Sequence, residues 1–302
     1  MNRAIRIAIL LLVSALVASA CGGATSGGAK PAITIGSTNF SEQLVLGELY
    51  SQILESNGYA VTRKFNLGNR EIVFPALQSG QIDMEADYLA TLLAFVDKTA
   101  TGSTDPKATS TALQSALTPK GVTVLDYAPA VDQNGFVVTK ATADKYKLAK
   151  LSDLAAVGNQ LVLGGPAECP NREFCALGLK NKYGITFKEF KALDTGGALT
   201  VQALVGGQID VGLLFTSDAT IAVRGFVLLA DDKQLQLSDN VAPVVRNDYL
   251  TKAGDDFRKV VNSIAPKLTT AELTGMNKLV EVDKKDPKDV AKEWLKKQGL
   301  IK

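Results

Sequence analysis

Histidine is absent from this chain of 302 residues, and cysteine is limited to three residues. Histidine is the commonest general base and metal ligand, and without it neither a Ser-His nor a Cys-His nucleophile pair can form. The carboxylates are spread along patterns typical of surface helices, and no motif groups them. The sequence therefore predicts a protein that is not an enzyme and that holds no metal and no cofactor.

An excess of charge of either sign is also missing. The chain carries 33 basic and 31 acidic residues, and two of the basic ones, Arg3 and Arg6, lie in the first twenty residues, where no acidic residue occurs. The rest of the chain is therefore balanced. No cluster of lysine and arginine with interleaved aromatic residues is present, so we expect no nucleic-acid partner.

Long apolar runs are confined to residues 1–20. This segment joins the basic Arg3 and Arg6 to the apolar stretch "AILLLVSALVA" and the small residues "ASA". That order is typical of a secretory signal peptide, and the stretch is too short for a membrane-spanning helix. We expect the protein to be exported.

Cys21 follows the signal peptide directly and resembles the lipidated cysteine of a bacterial lipobox. Ala18 stands where that pattern prefers leucine, and ordinary cleavage near Ala20 is the alternative. Residues 21–31 are rich in glycine and serine, which predicts a flexible linker. We interpret the protein as lipid-anchored through Cys21 to the outer face of the bacterial cell membrane.

The other two cysteines, Cys169 and Cys175, lie close together in "ECPNREFC". In an exported protein such a pair predicts a disulfide, because no further cysteine or histidine is available to complete a zinc site. Two buried thiols are the alternative. A bridge would fix the shape of the segment around Arg172.

The chain is longer than one hydrophobic core usually serves, which predicts two domains. Short β-branched runs alternate with helical patterns, which indicates an α/β protein with mostly parallel sheets. The stretch "AITIGS" at residues 32–37 predicts the first strand. A helix follows it, with Asn39 or Ser41 as its N-cap and Gly58 beyond its end.

One pattern occurs twice, as "ALQSGQIDMEADY" at residues 76–88 and as "ALVGGQIDVGLLF" at residues 203–215. Each copy predicts the end of an amphipathic helix, a glycine turn and a strand that begins with Ile-Asp. We interpret the copies as two lobes of similar design, although helix, glycine and strand also recur by coincidence in α/β proteins. Ligands bind beyond the carboxyl ends of parallel strands, so contacts are expected in "EADYLAT" and "LFTSDAT".

Several separated motifs occur in one order: "IGSTNFSEQLVLGELYSQ", "ALQSGQIDMEADYLAT", "LVLGGPAECPNREFCALGLK", "IDVGLLFTSDATI" and "APVVRNDYL". Together they resemble the substrate-binding proteins of ABC importers for osmoprotectants such as glycine betaine, choline and carnitine. The resemblance implies a two-lobed, periplasmic-binding-protein-like fold, hinged by two crossing strands near "APAVDQNGFVV" and "LSDNVAPVV" and finished by C-terminal helices. Lobe 1 would comprise residues 32–130 and 242–302, and lobe 2 residues 131–241.

The resemblance also implies a binding site. Tyr88 and Thr91 in "DYLAT" match the family's tyrosine and threonine after the first repeat, and Arg172 matches its carboxylate-binding arginine. The turn "GSTNFSEQ" joins a strand end to a helix start, where free N–H groups favour an anion or a carbonyl oxygen. The predicted ligand-binding residues are Thr38, Asn39, Tyr88, Thr91, Asn134, Arg172, Phe215 and Thr216.

The chain departs from the family's pattern at part of this site. The family often has lysine at Thr38, and it has tyrosine at Asn134, at Phe215 and near Val201. A methylammonium group loses about 0.5–2 kcal/mol with each missing ring face, so the altered site suits glycine betaine less well. A neutral polyol, a sugar-like compound or an aromatic compound is an alternative ligand, and a structural or signalling lipoprotein that binds no solute is an alternative class.

The resemblance implies partners as well. A small-molecule solute captured between the lobes would be delivered to an ABC permease that is powered by an ATPase. The chain has no "GxxxxGK[ST]" motif and no later apolar run long enough to span a membrane. We therefore expect the permease and the ATPase to be separate subunits, and the binding protein itself to be a monomer.

Overall fold

The computed structural model describes residues 30–302 of the chain. The predicted signal peptide at residues 1–20, the predicted lipidation at Cys21 and all but the last two residues of the predicted linker lie outside this range. Among the residues from 30 onward, no helix combines the length and the apolar character needed to cross a membrane.

Two five-stranded sheets organise the described part of the chain. The first, in lobe 1, has the order β2-β1-β3-β10-β4 and consists of β1 (Ile33–Gly36), β2 (Val61–Lys64), β3 (Met84–Tyr88), β4 (Val122–Val124) and β10 (Val241–Arg246). The second, in lobe 2, has the order β7-β6-β8-β5-β9 and consists of β5 (Asn134–Val138), β6 (Val162–Pro166), β7 (Glu189–Leu193), β8 (Val211–Phe215) and β9 (Val227–Leu228). The predicted two-lobed α/β fold is confirmed.

The expectation of mostly parallel sheets is confirmed, because four of the five strands in each described sheet run in the same direction and one runs the other way. β1 pairs in parallel with β2 and β3, and β6 pairs in parallel with β7 and β8. β10 and β5 instead run antiparallel to both of their neighbours. These two strands are the ones that the chain enters directly from the other sheet. They need no helical crossover within their own sheet, which is the connection that makes neighbouring strands parallel.

The chain passes between the sheets twice, once between β4 and β5 and again between β9 and β10. The two crossing segments lie side by side and antiparallel. Val131 and Asn240 form a β-bridge, and the N–H of Asp132 donates to the carbonyl of Asp239 over 3.0 Å. Both aspartates are buried. The predicted pair of crossing strands is therefore present.

Helices connect the strands, and three of them follow the last strand. Val290, Trp294 and Leu295 of the final helix share a buried core with Leu46 and Leu49 of the first, so the C-terminal segment completes lobe 1. The helices are α1 (Ser41–Ser56), α2 (Arg70–Gln78), α3 (Leu89–Val96), α4 (Pro106–Leu117), α5 (Lys140–Tyr146), α6 (Ala176–Gly178), α7 (Ala198–Val205), α8 (Thr220–Arg224), α9 (Asn247–Asn262), α10 (Thr270–Glu281) and α11 (Pro287–Lys297).

The repeated sequence builds the same unit in each lobe: α2 leads into β3, and α7 leads into β8. In the turns, Gly80 has a φ of 78° and Gly207 a φ of 66°, a left-handed conformation that favours glycine. The Asp83 carboxylate accepts a hydrogen bond from an N–H of β1 over 2.8 Å, and the Asp210 carboxylate accepts one from β6 over 2.9 Å. Equivalent aspartates thus fasten each repeat to its neighbouring strand.

The first helix begins differently from the prediction. α1 starts at Ser41 with Phe40 at its N-cap position, and no side chain caps it. The Ser41 hydroxyl donates to the Glu281 carboxylate of α10 instead, so it is not available to the backbone of α1. Gly58, with a φ of 83°, lies just beyond the end of the helix as expected.

Candidate functional site

A cavity of about 110 Å³ lies where the crossing segments meet the strand ends of both sheets. Asp132 and Asp239 of the crossing segments line it. So do Tyr88, the last residue of β3, and Phe215, the last residue of β8. Both repeats therefore present the carboxyl end of a strand to one shared cavity, which is where ligands bind in open α/β sheets.

The cavity brings together most of the predicted ligand-binding residues. Thr216 is held elsewhere: its Oγ1 accepts a hydrogen bond from the Gln133 N–H over 2.9 Å, and its own N–H donates to the Gln133 carbonyl over 2.9 Å. It fastens the end of β8 to a crossing segment. Those of the predicted residues that line the cavity are Thr38, Asn39, Tyr88, Thr91, Asn134, Arg172 and Phe215.

Aromatic side chains form much of the cavity wall. The ring centroid of Phe40 lies 4.8 Å from that of Phe215 and 6.4 Å from that of Tyr88, and both contacts are stacked. Phe40 and Tyr88 belong to lobe 1 and Phe215 to lobe 2, so the stack spans the cleft. The aromatic residues that sequence reasoning missed are Phe40, Phe95 and Phe174. Helical spacing could have found Phe95, which lies one turn after Thr91.

The hydroxyl of Tyr88 is occupied within the protein. It donates to Oε1 of Glu42 over 2.5 Å and accepts from Nε2 of Gln43 over 3.1 Å. The other oxygen of Glu42 accepts from Ser217 of lobe 2 and from Asn277 of α10, each over 2.6 Å. Burial raises the pKa of the Glu42 carboxyl, and burial together with the Glu42 charge raises the pKa of Tyr88. The ring is thus the part of Tyr88 that remains for a ligand.

Arg70 lines the cavity and was missed by sequence reasoning. Its Nε donates to Oδ2 of Asp87 and its Nη2 to Oγ1 of Thr91, each over 2.9 Å. The Thr91 N–H donates to Oδ1 of Asp239 over 2.8 Å, and burial raises the pKa of Asp239 to about 7. Thr91 is therefore held between a cation and a buried carboxyl. The sequence carried a signal for Arg70, because Asn-Arg-Glu occurs at residues 69–71 and again around Arg172.

The predicted disulfide between Cys169 and Cys175 is formed, with Cα atoms 5.2 Å apart. Both cysteines and the intervening Arg172 line the cavity. The carbonyl of Phe174, in the same loop, accepts a hydrogen bond from Nδ2 of Asn134 over 2.9 Å. The bridge and this hydrogen bond together hold the loop, and with it Arg172, against the cavity.

Arg172 meets lobe 1 across the cleft. Its Nη2 donates to both carboxylate oxygens of Glu71 over 2.8 Å, and Oε1 of Glu168 lies 3.9 Å from the same nitrogen. Its guanidinium carbon lies 6.0 Å from the ring centroid of Phe95. Burial, and then the like charge of Arg70, lower the pKa of Arg172.

Two polar atoms in the cavity wall are buried and have no hydrogen-bond partner among residues 30–302: Oγ1 of Thr38 and Nε of Arg172. Buried polar groups in folded proteins are nearly always bonded, and an unmade bond costs about 1–3 kcal/mol. The two atoms come from opposite lobes.

Comparison with known proteins gives one family. A model of the substrate binding domain of ABC-type glycine betaine transport systems matches residues 31–297. The carnitine transport binding protein OpuCC of Listeria monocytogenes serotype 1/2a (strain 10403S) is 28% identical over 299 residues, which cover 97% of this chain and 96% of that protein. The ergothioneine transport permease/ergothioneine binding protein EgtU of Helicobacter pylori (strain G27) is 27% identical over 262 residues, which cover 86% of this chain and 46% of that protein.

Solved structures agree with this result. The crystal structure of a glycine betaine/carnitine/choline ABC transporter matches with a TM-score of 0.69 and 29% sequence identity, and the match covers 89% of this chain and 99% of that one. The fold similarity therefore extends over nearly the whole of the described part of the chain.

Proposed function

Because this chain belongs to the family of substrate binding domains of ABC-type glycine betaine transport systems, we propose that its solute is a betaine-type compound with a methylated ammonium group, held in the cavity between the lobes. The observation that carries the proposal is the aromatic stack of Phe40, Tyr88 and Phe215. It lines the same cavity as two polar atoms without partners, on Thr38 and Arg172.

The aromatic wall supplies a site for a methylated ammonium group. Each ring face attracts such a cation by about 0.5–2 kcal/mol through its electron-rich centre. Phe215 stands where the family has tyrosine, but it keeps the ring face, and Phe40, Phe95 and Phe174 add further aromatic surface. A neutral polyol lacks the positive charge on which this attraction depends. The wall therefore favours a cationic or zwitterionic solute.

The polar atoms supply a site for the other end of the solute. Nε of Arg172 in lobe 2 can donate to a carboxylate, and hydrogen bonds between ionised groups are the stronger kind. The hydroxyl of Thr38 in lobe 1 can donate to the same group. A solute that bonds to both lobes stabilises the closed arrangement relative to the open one, which is how binding is coupled to closure in hinged proteins.

Delivery follows from closure. The closed, loaded form hands its solute to a permease in the membrane, and an ATPase subunit drives the transfer. The protein acts as a monomer. Residues 1–20 are removed, and the lipid on Cys21 then keeps the protein at the outer face of the cell membrane. Labelling of the protein with a radioactive fatty acid tests the anchor: incorporation should occur at Cys21 and disappear in Cys21→Ser, and an unlabelled native protein would contradict it.

The proposed solute class is tested by thermal shift of the purified protein. A ligand that binds only the native state raises the melting temperature by mass action. The panel contains glycine betaine, carnitine, choline and ergothioneine, with sorbitol, glucose and a neutral aromatic alcohol as controls. We expect shifts from methylated ammonium compounds. A shift from the neutral compounds alone would contradict the proposal and support an altered specificity.

A further inference from the structure

The pair of Glu71 and Arg172 joins the two lobes beside the cavity. Glu71 lies in the first turn of α2, and Arg172 lies in the disulfide loop of lobe 2. The side chain of Glu71 is 42% exposed and that of Arg172 is 21% exposed. Arg172 lines the cavity. The pair therefore sits at the edge of the cavity, with its carboxylate towards solvent and its guanidinium towards the site.

The pairing is incomplete on the side of the arginine. A carboxylate that binds a guanidinium group side-on uses N–H groups of two nitrogens. Glu71 uses Nη2 alone, and within the described residues Nε of Arg172 has no hydrogen-bond partner although it is buried. A carboxylate arriving from the cavity could bond to Nε and Nη2 together. Both oxygens of Glu71 already bond to Nη2, so the incoming carboxylate would compete with Glu71 for the N–H groups of this nitrogen.

Arg70, which also lines the cavity, does not offer the same opportunity. Two of its nitrogens already donate to Asp87, with Nε 2.9 Å from Oδ2 and Nη2 2.5 Å from Oδ1. Its side chain is 11% exposed. The bidentate ion pair with Asp87 is complete, so Arg172 is the guanidinium group whose partner can exchange.

We infer that Glu71 competes with the carboxylate of the solute for Arg172, and that it thereby sets the selectivity of the site between solutes with and without a carboxylate. The inference rests on the proposed function. Glycine betaine and carnitine compete with Glu71 for Nη2 when they bond side-on with Arg172. Choline ends in a hydroxyl group and has no carboxylate for this competition.

The test is the change Glu71→Gln, which keeps the shape of the side chain and removes its charge. Dissociation constants for glycine betaine, carnitine and choline are measured by calorimetry on the purified protein and on the variant. Partly exposed ion pairs are weak, so we expect the constants for glycine betaine and carnitine to fall by about twofold to fivefold. The constant for choline should not fall.

Two controls separate competition from other effects. Glu173→Gln removes a carboxylate that also lines the cavity and so measures the general effect of one negative charge fewer. We expect it to change the ratio of betaine to choline affinity less than Glu71→Gln does. In an Arg172→Gln background, Glu71→Gln should no longer strengthen the binding of betaines, because the competition needs the guanidinium group.

The outcomes distinguish this inference from the proposed function. Equal weakening of all three solutes by Glu71→Gln would make the pair a contact that stabilises lobe closure, and would overturn the inference. A gain shared by choline would overturn it as well. If the solutes bind and Glu71→Gln leaves all three dissociation constants unchanged, the inference is overturned and the proposed function stands. If none of the three solutes binds to the unaltered protein, the proposed function fails and the inference falls with it.

Discussion

The hydroxyl of Tyr88 donates to Oε1 of Glu42 over 2.5 Å, and this contact ties the cavity wall to a carboxyl group that is fully buried. Glu42 also accepts from Ser217 of lobe 2 and from Asn277 of α10. One carboxyl group thus links the aromatic wall, the second lobe and the C-terminal helices. Loss of the Tyr88 hydroxyl should therefore lower stability, while the ring stays available for binding.

Tyr88→Phe keeps the ring and removes the hydroxyl, so it takes one of the hydrogen bonds from the buried Glu42. We expect the free energy of unfolding to fall by about 1–3 kcal/mol, while the affinity for betaines changes little. Urea unfolding and calorimetry measure the two quantities. Tyr50→Phe is the matched control, because burial alone, and no carboxylate, raises the pKa of Tyr50. Equal losses of unfolding free energy in Tyr88→Phe and Tyr50→Phe would show that the hydrogen bond from Tyr88 to Glu42 adds no stability of its own.

Thr38→Val should separate stability from binding. The Thr38 hydroxyl is buried without a hydrogen-bond partner in the described part of the chain, so its removal should leave the stability of the unliganded protein unchanged or raise it. Affinity for a betaine should fall by about twofold to tenfold, the value of one ordinary hydrogen bond. Thr91→Val is the comparison, because it also loses the bond from Arg70 and should lower stability. A loss of stability in Thr38→Val as large as that in Thr91→Val would show that the Thr38 hydroxyl does stabilise the unliganded protein.

Asp239 should make stability depend on pH. Burial raises its pKa from 3.8 to about 7, against the opposing charge of Arg70. The folded protein therefore binds more protons than the unfolded chain between about pH 4 and pH 7. The stability contributed by this group is fully present below about pH 4 and is lost as the pH rises through about 7.

The change Asp239→Asn removes that titration. Between about pH 5 and pH 8, the unaltered protein should lose more free energy of unfolding than the variant, with a difference in slope of at most about 1.4 kcal/mol per pH unit. Urea unfolding at several pH values measures both slopes. Parallel curves for the two proteins would show that Asp239 does not titrate in this range.

The equivalent aspartates of the repeat give a paired prediction. Asp83→Ala and Asp210→Ala each remove the acceptor of a strand N–H, so each should lower the free energy of unfolding by about 1–3 kcal/mol. Asp83 should cost more, since it also accepts from Arg246 over 3.2 Å. Asp255→Ala, at an exposed position in α9, is the control and should change stability little. Equal values for all three would mean that the aspartates do not fasten the repeats.

Local patterns explain what could be predicted from the sequence. The turns of the repeat require glycine at Gly80 in lobe 1 and at Gly207 in lobe 2. The strand after the first turn ends at Tyr88, and the strand after the second ends at Phe215. The short spacing of Cys169 and Cys175 likewise predicted the disulfide. Each of these features depends on residues that are close in the chain, where spacing carries direct information.

Contacts between distant segments explain what was missed. Glu71 and Arg172 are 101 positions apart and meet only because the two lobes face each other. Phe40 lines the cavity because it stacks on Phe215 of the other lobe. No spacing pattern in the sequence indicates a contact between residues so far apart in the chain. The reversed strand in each sheet was missed for a related reason, since the direction of β5 and β10 follows from the crossings and not from their own residues.

The most direct test of the account is whether a betaine contacts both lobes at once. Calorimetry with glycine betaine is performed on the purified protein, on Phe40→Ala of lobe 1 and on Phe215→Ala of lobe 2. Phe187→Ala, at a partly buried position that packs against the core of lobe 2, is the control. The account predicts one bound solute per chain and a dissociation constant that rises by about twofold to thirtyfold in each cavity variant but not in the control. Binding that survives unchanged in Phe40→Ala and Phe215→Ala alike would contradict it.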